Sequence, residues 1–280
     1  MDNIINGLSI VATPIGNLDD ITYRAVKTLG KCDIIICENP KHSLKLLNKL
    51  GIKKKLIALH DYNEHKIIDQ IKVLLKNKNC VLISDAGSPL ISDPGYNLVQ
   101  YCIANNIRVT SVPGPSSIVS SLQLSGLPIS EFAFFGFVPK SKKKIGDLAK
   151  NILQEKRTCV FFVSNHKLIV FLDCLENIIG NRSISICKEL TKVNEFVFRG
   201  TPNDVKNKIL EDKENVKGEF VAVIDRQTSK NQDFDNIDLY SKEIRKMATK
   251  FSLTDIVEIV HKFTKINKNK IYKWLLKLKK

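Results

Sequence analysis

Two aspartates, Asp85 and Asp93, stand eight residues apart in a stretch that must bend twice. The first bend is Ser84-Asp85-Ala86-Gly87-Ser88-Pro89 and the second is Asp93-Pro94-Gly95. Gly87 admits a left-handed backbone, while Pro89 fixes φ and removes an N–H, so the segment can continue neither a strand nor a helix. Carboxylates and hydroxyls projecting from such bends, beside bare backbone N–H and C=O groups, can hold a polar ligand. One such loop taken alone could equally be a pair of ordinary turns. Two more bends of the same kind, Thr13-Pro14-Ile15-Gly16-Asn17 and Pro113-Gly114-Pro115-Ser116-Ser117, strengthen the ligand reading.

Each bend follows a short apolar run long enough for one buried strand. Strands are expected over residues 8–12, 33–37, 56–59, 81–83 and 107–112. Helical patterns lie between them. Ile21, Ala25 and Leu29 share one face, with Asp19 or Asp20 as cap and Gly30 as stop. Leu44 and Leu47 precede Gly51, and Ile67, Ile68, Ile71, Leu74 and Leu75 form another stripe. A further helix is expected over residues 96–104. Strand–helix alternation predicts an α/β fold with a mostly parallel sheet covered on both faces. The loops at Pro14, Glu38, His60, Asp85 and Gly114 then share the carboxyl rim, where open α/β sheets bind ligands.

Past residue 115 the pattern changes. Phe-Ala-Phe-Phe-Gly-Phe at 132–137 precedes a basic run, Lys140 to Lys144, read as an exposed loop. Strands are expected over 158–163, 183–188 and 218–225. The organisation is therefore an N-terminal α/β domain over 1–115, a second α/β domain over 116–225, a polar linker over 226–242 and a basic helical extension over 243–280. In the extension, Leu253, Ile256, Val257 and Val260 form one stripe and Ile271, Trp274, Leu275 and Leu278 another, with lysines up to Lys277, Lys279 and Lys280 elsewhere. Ser252 and Asp255 have capping-box spacing.

The 280 residues carry a net charge of +15 and are 43% hydrophobic. A real core and a polyanionic partner, most often nucleic acid, follow; a lysine-rich proteome is the plainer explanation. The seven cysteines lie mostly in apolar runs without a C-x-x-C pair, as expected of reduced core residues in a cytoplasmic protein. The N-terminus lacks the features of a signal peptide, no run approaches the ~20 apolar residues of a membrane span, and the five histidines show no metal spacing. Dinucleotide, P-loop, zinc-protease and nucleophile-elbow motifs are missing. A Gly/Pro rim without a phosphate-binding glycine run suits a nucleoside with a zwitterionic tail, a description S-adenosylmethionine fits.

The runs TPIGNLDDITYRA, LISDAGSPLISDPGYNLV, VPGPSS, SGLP, FFGFVPK, KELTK, Glu195 through FRG, and KGEF resemble the ribosomal RNA small subunit methyltransferase I family. These are 16S rRNA cytidine 2′-O-methyltransferases within the tetrapyrrole (corrin/porphyrin) methylase superfamily. The likeness spans about residues 7–225 in order and continues into the C-terminal helices. It implies two α/β domains with S-adenosylmethionine in the cleft between them, a homodimer, and 16S rRNA of the small ribosomal subunit as partner. It also implies that Pro14, Asp85, Ala86, Gly87 and Ile91 line the cofactor pocket from the first domain, Ser116 and Ser117 at the crossover, and Phe162, Val163 and Leu190 from the second. The family's E-D-T-R is here Glu38-Asn39-Pro40-Lys41, and its Y-E-x-P-H-R is here Phe162 to Lys167.

A ribose 2′-hydroxyl is a weak acid and needs a base within hydrogen-bond reach. Glu38, Asp93, His166, Lys188 and Glu189 are the candidates on the rim, with Glu38 and Glu189 preferred. Lys142, Lys143 and Lys144 are the expected RNA contacts. Two rival functions remain: another methylase of the superfamily, acting on a tetrapyrrole carbon or a modified protein residue, and a non-catalytic RNA-binding protein.

Overall fold

The computed structural model describes residues 7–60, 64–226, 240–248, 250–264 and 266–278. The chain forms two compact units, Met1–Arg226 and Gln227–Lys280.

The first unit contains two five-stranded sheets. In the first sheet β1 (Gly7–Val11), β2 (Ile34–Cys37), β3 (Lys55–Ala58), β4 (Asn79–Ile83) and β5 (Val109–Val112) run in the order β3-β2-β4-β1-β5, every pair parallel. Their side chains alternate between two cores. Ile34, Ile36, Cys80 and Leu82 pack with Ile68, Ile71 and Leu75 of α3 (Glu64–Leu75) and with Leu98 and Cys102 of α4 (Tyr96–Ala104). Ile35, Cys37, Val81 and Ile83 pack on the other face with Ala25 and Leu29 of α1 (Tyr23–Lys31) and Leu47 of α2 (Pro40–Lys49). Because all five strands are parallel, their carboxyl ends share one rim.

Local chemistry moves some boundaries. Thr22, not Asp19 or Asp20, caps α1: its hydroxyl accepts the Ala25 N–H. Asp19 and Asp20 instead form a short turn capped by Asn17. Gly30 lies inside α1 and does not stop it. The Ile107 N–H donates to the Cys102 carbonyl at 2.9 Å to finish α4, so β5 starts only at Val109.

The second sheet is mixed. Its strands are β6 (Phe132–Phe137), β7 (Thr158–Ser164), β8 (Ile184–Lys188), β9 (Phe196–Gly200) and β10 (Glu219–Ile224), in the order β6-β7-β10-β8-β9. Only β6 and β7 are parallel. One face packs on α6 (Lys142–Gln154), α7 (Asn165–Ile179) and α8 (Pro202–Leu210) through Ile145, Ile152, Phe161, Phe171, Leu175 and Ile209. The other face joins Leu122 of α5 (Ser117–Ser125) and, from the first sheet's rim, Ile15.

In the second unit α9 (Ser241–Met247), α10 (Leu253–Thr264) and α11 (Lys268–Leu278) surround Ile244, Ile256, Val257, Val260, Ile266, Ile271 and Leu275. The expected stripes are thus the inner faces of a small core. The Ser252 hydroxyl accepts the Asp255 N–H as the cap of α10. Most of the polar stretch 226–242, and Lys279 and Lys280, lie outside the described residues. Among the described residues no helix is long and apolar enough to cross a membrane.

Candidate active site

A cavity of about 550 Å³ opens above the rim of the first sheet. Its walls come from three places. The β1 and β4 loops contribute Ile15 and residues 85–88 and 91–93; the start of α5 contributes Ser116, Ser117 and Ile118; the second sheet contributes Phe137, residues 162–165, Leu190 and residues 218–221.

The β4 loop is held from below. Thr13 and Gly87 exchange both backbone hydrogen bonds, at 2.8 and 3.0 Å, and the Thr13 hydroxyl donates to the Ser84 carbonyl. Beyond it Leu90 and Ser92 adopt left-handed φ values of 74° and 69° on either side of Ile91. On the opposite wall Glu189 and Thr191, at 48° and 64°, flank Leu190 in the same manner. Non-glycine residues in this region cost of order 1–3 kcal/mol each and persist only where surrounding structure enforces them. Here each pair turns one apolar side chain into the cavity.

Among the described residues, Asp85, Asp93 and Glu219 are the carboxylates that line the cavity. Asp85 accepts the backbone N–H of Asn39 at 3.2 Å. Asn39 in turn caps α2, its side chain accepting from Lys41 and His42, with Pro40 at the first helical position. The Asn-Pro pair is therefore a helix start tied to Asp85. Burial pushes the Asp93 carboxyl up to about 6; the Ser84 hydroxyl opposes this, and the neighbouring Glu38 and Asp85 carboxylates reinforce it.

Of the residues expected around a ligand, Asp85, Ala86, Gly87, Ile91, Ser116, Ser117, Phe162, Val163 and Leu190 all line this one cavity. Pro14 does not. It is buried beneath the loop, and its neighbour Ile15 reaches the wall instead. The preferred bases also stand apart. Glu38 is half-buried at the end of β2, behind Asp93 and outside the lining. Glu189 is engaged structurally: its carboxylate accepts the Glu219 N–H at 2.7 Å and the Lys192 ammonium at 3.1 Å. Burial would raise its pKa, but these bonds and the nearby Lys188 outweigh burial and hold it below the ordinary value. Lys188 is buried and donates to the Glu214 carbonyl and the Asn215 side chain, while His166 is exposed on the first turn of α7.

The basic run is not a loop. Ser141 accepts the Lys144 N–H as a helix cap, so Lys142, Lys143 and Lys144 form the exposed first turn of α6. The sequence signal was present in Ile145, Ala149 and Ile152, spaced for a buried helical face.

Residues 7–206 match the family Tetrapyrrole (Corrin/Porphyrin) Methylases. The chain is 36% identical over 279 residues to Ribosomal RNA small subunit methyltransferase I of Haemophilus influenzae, covering 98% of each. It is 43% identical over 218 residues to the protein of that name from Thermotoga maritima, covering 78% of this chain and 97% of that one. The crystal structure of diphthine synthase shares the fold at 14% identity, with a TM-score of 0.59 over 78% of this chain and 89% of that one.

Proposed function

The chain belongs to the ribosomal RNA small subunit methyltransferase I family of the tetrapyrrole methylases, and we propose from this premise that it methylates the ribose 2′-hydroxyl of a cytidine in 16S rRNA, using S-adenosylmethionine. The end-to-end match with relatives of that name carries the reading.

The cavity residues fit the cofactor in kind. Ser116 and Ser117 stand at the amino end of α5, where free N–H groups and the helix dipole favour a carboxylate. Asp85 and Asp93 offer negative charge to a sulfonium, and Gly87, Ile91, Phe162 and Leu190 offer bare backbone and apolar surface to a nucleoside. When bound, S-adenosylmethionine supplies a methyl group already activated for transfer.

The chain's own work is then orientation and proton removal. Correct alignment of two reactants contributes roughly 7–11 kcal/mol to such a reaction. Asp93 is the base of this reading, replacing Glu38 and Glu189: it lines the cavity, and a pKa of about 6 leaves it ionised yet able to accept a proton near neutrality. Glu38, behind it, supports that pKa as a positioning residue.

Lys142, Lys143 and Lys144 contact RNA phosphates in this reading. They crowd the positive end of the α6 dipole with no acidic residue in that turn, an arrangement that an external anion relieves. A homodimer is supported by apolar side chains on the edge strands of the second sheet, where Phe132, Phe135 and Phe196 are exposed. Seven unpaired cysteines support a reducing, cytoplasmic setting.

The test is methyl transfer from labelled S-adenosylmethionine to unmodified small subunits, with the product nucleoside identified. 2′-O-methylcytidine is expected. A methylated base, or transfer only to a porphyrin precursor, overturns the assignment.

A further inference from the structure

Phe137 ends β6 at the mouth of the cavity and is aimed there by a defect in the sheet. From Phe134 to Phe137 the strand advances three residues while its partner β7 advances two, from Val160 to Phe162. The extra residue is a β-bulge, and Gly136 within it has φ of 73°, which favours glycine. Strict alternation would put Phe137 on the same face as Phe135, an exposed ring that stacks from outside on the core residue Phe161 on the α6 and α7 side of the sheet. The bulge instead moves Phe137 to the face of Phe134, and both rings meet Phe162 edge-on, with centroids 5.2 and 4.9 Å away.

The outcome of this device is an aromatic ring that lines the cavity and remains 62% exposed. Packing does not call for it. Phe162 fixes the ring but leaves most of it to water. The segment that follows is equally fixed: the Val138 N–H donates to the Phe162 carbonyl at 2.9 Å, Val138 is buried, and the Lys167 ammonium donates to the Pro139 carbonyl at 3.1 Å. Lys140, Lys142, Lys143 and Lys144 then follow, all exposed. An aromatic face and a row of cations are thus held rigidly within eight residues, Phe137 to Lys144, at the entrance to the proton-accepting Asp93.

That combination is how proteins hold an unpaired nucleotide: a base stacks on a ring while the backbone follows positive charge. We propose that Phe137 is the platform on which the base of the target nucleotide stacks, swung out of its RNA stack so that its ribose enters the cavity. The assignment rests on the rRNA methylation reading and adds to it the residue that seats the target base. Stacking on a ring is tolerant of base identity, so Phe137 contributes affinity and positioning, not the choice of cytidine.

The experiment compares Phe137→Leu, which keeps apolar bulk and removes the π face, with Phe137→Tyr and Phe137→Trp, which keep it. Methyl transfer to unmodified small subunits gives KM and kcat, and titration calorimetry gives the S-adenosylmethionine Kd of each protein alone. Phe137→Leu is expected to raise the KM for subunits about tenfold or more, with the cofactor Kd within twofold of wild type. The Tyr and Trp variants are expected to restore KM. An unchanged KM in Phe137→Leu overturns the platform. Equal loss of cofactor affinity also overturns it, because the ring would then serve the cofactor. Absence of transfer by the wild-type protein overturns the methylation reading and the platform together, whereas the first two outcomes leave that reading standing.

Discussion

The backbone N–H of Asn17 donates to the hydroxyl of Thr191 at 3.0 Å, joining residues 174 positions apart. This bond ties the β1 loop, on the first sheet's rim, to the β8–β9 loop of the second sheet. Between the two sits Gly16, where a Cβ would lie 2.7 Å from the Leu190 carbonyl oxygen and 2.6 Å from Lys192 Cγ. Ile15 and Leu190, the cavity residues on either side, are buried and pack in one apolar cluster. The close approach of these loops therefore sets the width of the cavity on that side.

Gly16→Ala is expected to force the loops apart. The contacts include backbone, so relief needs movement of the Leu190 loop, at a cost of ~1–3 kcal/mol. A shift near 1 Å in a ligand-positioning wall can lower turnover about 100-fold. Far-UV circular dichroism during urea unfolding reads the first loss and a methyl-transfer assay the second. The single tryptophan, Trp274, lies in the second unit, so its fluorescence serves as an internal control. Wild-type turnover in this variant would show that the loops are not coupled to the site.

Asp93 ties activity and stability to pH with opposite signs. Its folded pKa of about 6 stands above the ~3.9 expected for an unfolded aspartate. The folded state thus holds the proton more tightly, and Asp93's contribution to stability, complete below pH ~4, is lost as pH rises to about 6. Asp93→Asn should match wild type near pH 4 and exceed it at pH 7 by ~1–2 kcal/mol, a figure discounted for the group's partial exposure. Wild-type methyl transfer should rise through pH 6 as the carboxylate ionises. The variant should lose that limb and fall about 100-fold or more in kcat. A retained pH limb in Asp93→Asn would assign the base elsewhere.

The strands of the first sheet were legible because each is a short apolar run that gives way to polar or turn-forming residues. Their shared rim followed from alternation with helices, without any long-range information. The second sheet was less so. Its strands were visible, but β10 enters between β7 and β8, and no local pattern reveals that the last strand is central. Gly218 to Val221 consequently went unnoticed as cavity wall. Asp93 was visible as a rim carboxylate, but its place in the cavity lining, which Glu38 and Glu189 lack, and its raised pKa depend on burial, which spacing does not report. Pro14 was displaced by its neighbour for a similar reason: the Thr13–Gly87 bridge decides which residue of the bend turns upward.

Thiol reactivity tests the core. Burial raises the thiol pKa of Cys32, Cys102 and Cys187 to about 11 and of Cys80 and Cys159 to about 12, and raises Cys37 as well. Only the thiolate reacts, and these six are also sterically enclosed. Ellman's reagent at pH 8 should therefore modify no more than one residue, the half-buried Cys174, in the native protein, and all seven in urea. Fast reaction of a second thiol would mean that one of the sheets opens locally.

Reversing the charges of Lys142, Lys143 and Lys144 to glutamate should stabilise the protein while weakening its RNA binding. All three are exposed, and the turn they occupy contains no acidic residue, so each lysine now opposes the positive end of the α6 dipole. Acidic residues there are favoured by ~0.3–1 kcal/mol apiece, and the gain should shrink with added salt. If the lysines neutralise RNA phosphates, the triple variant loses the corresponding counterion release. The slope of log K against log salt should become shallower by roughly 2–3, at ~0.7–0.9 per phosphate contact. Equilibrium binding to unmodified small subunits across a salt series, alongside urea unfolding, measures both effects on one set of samples. A raised unfolding midpoint with an unchanged salt slope would make these lysines a plain solvated turn. A shallower slope with a raised midpoint is the result expected of residues retained at a cost to the fold because they bind RNA.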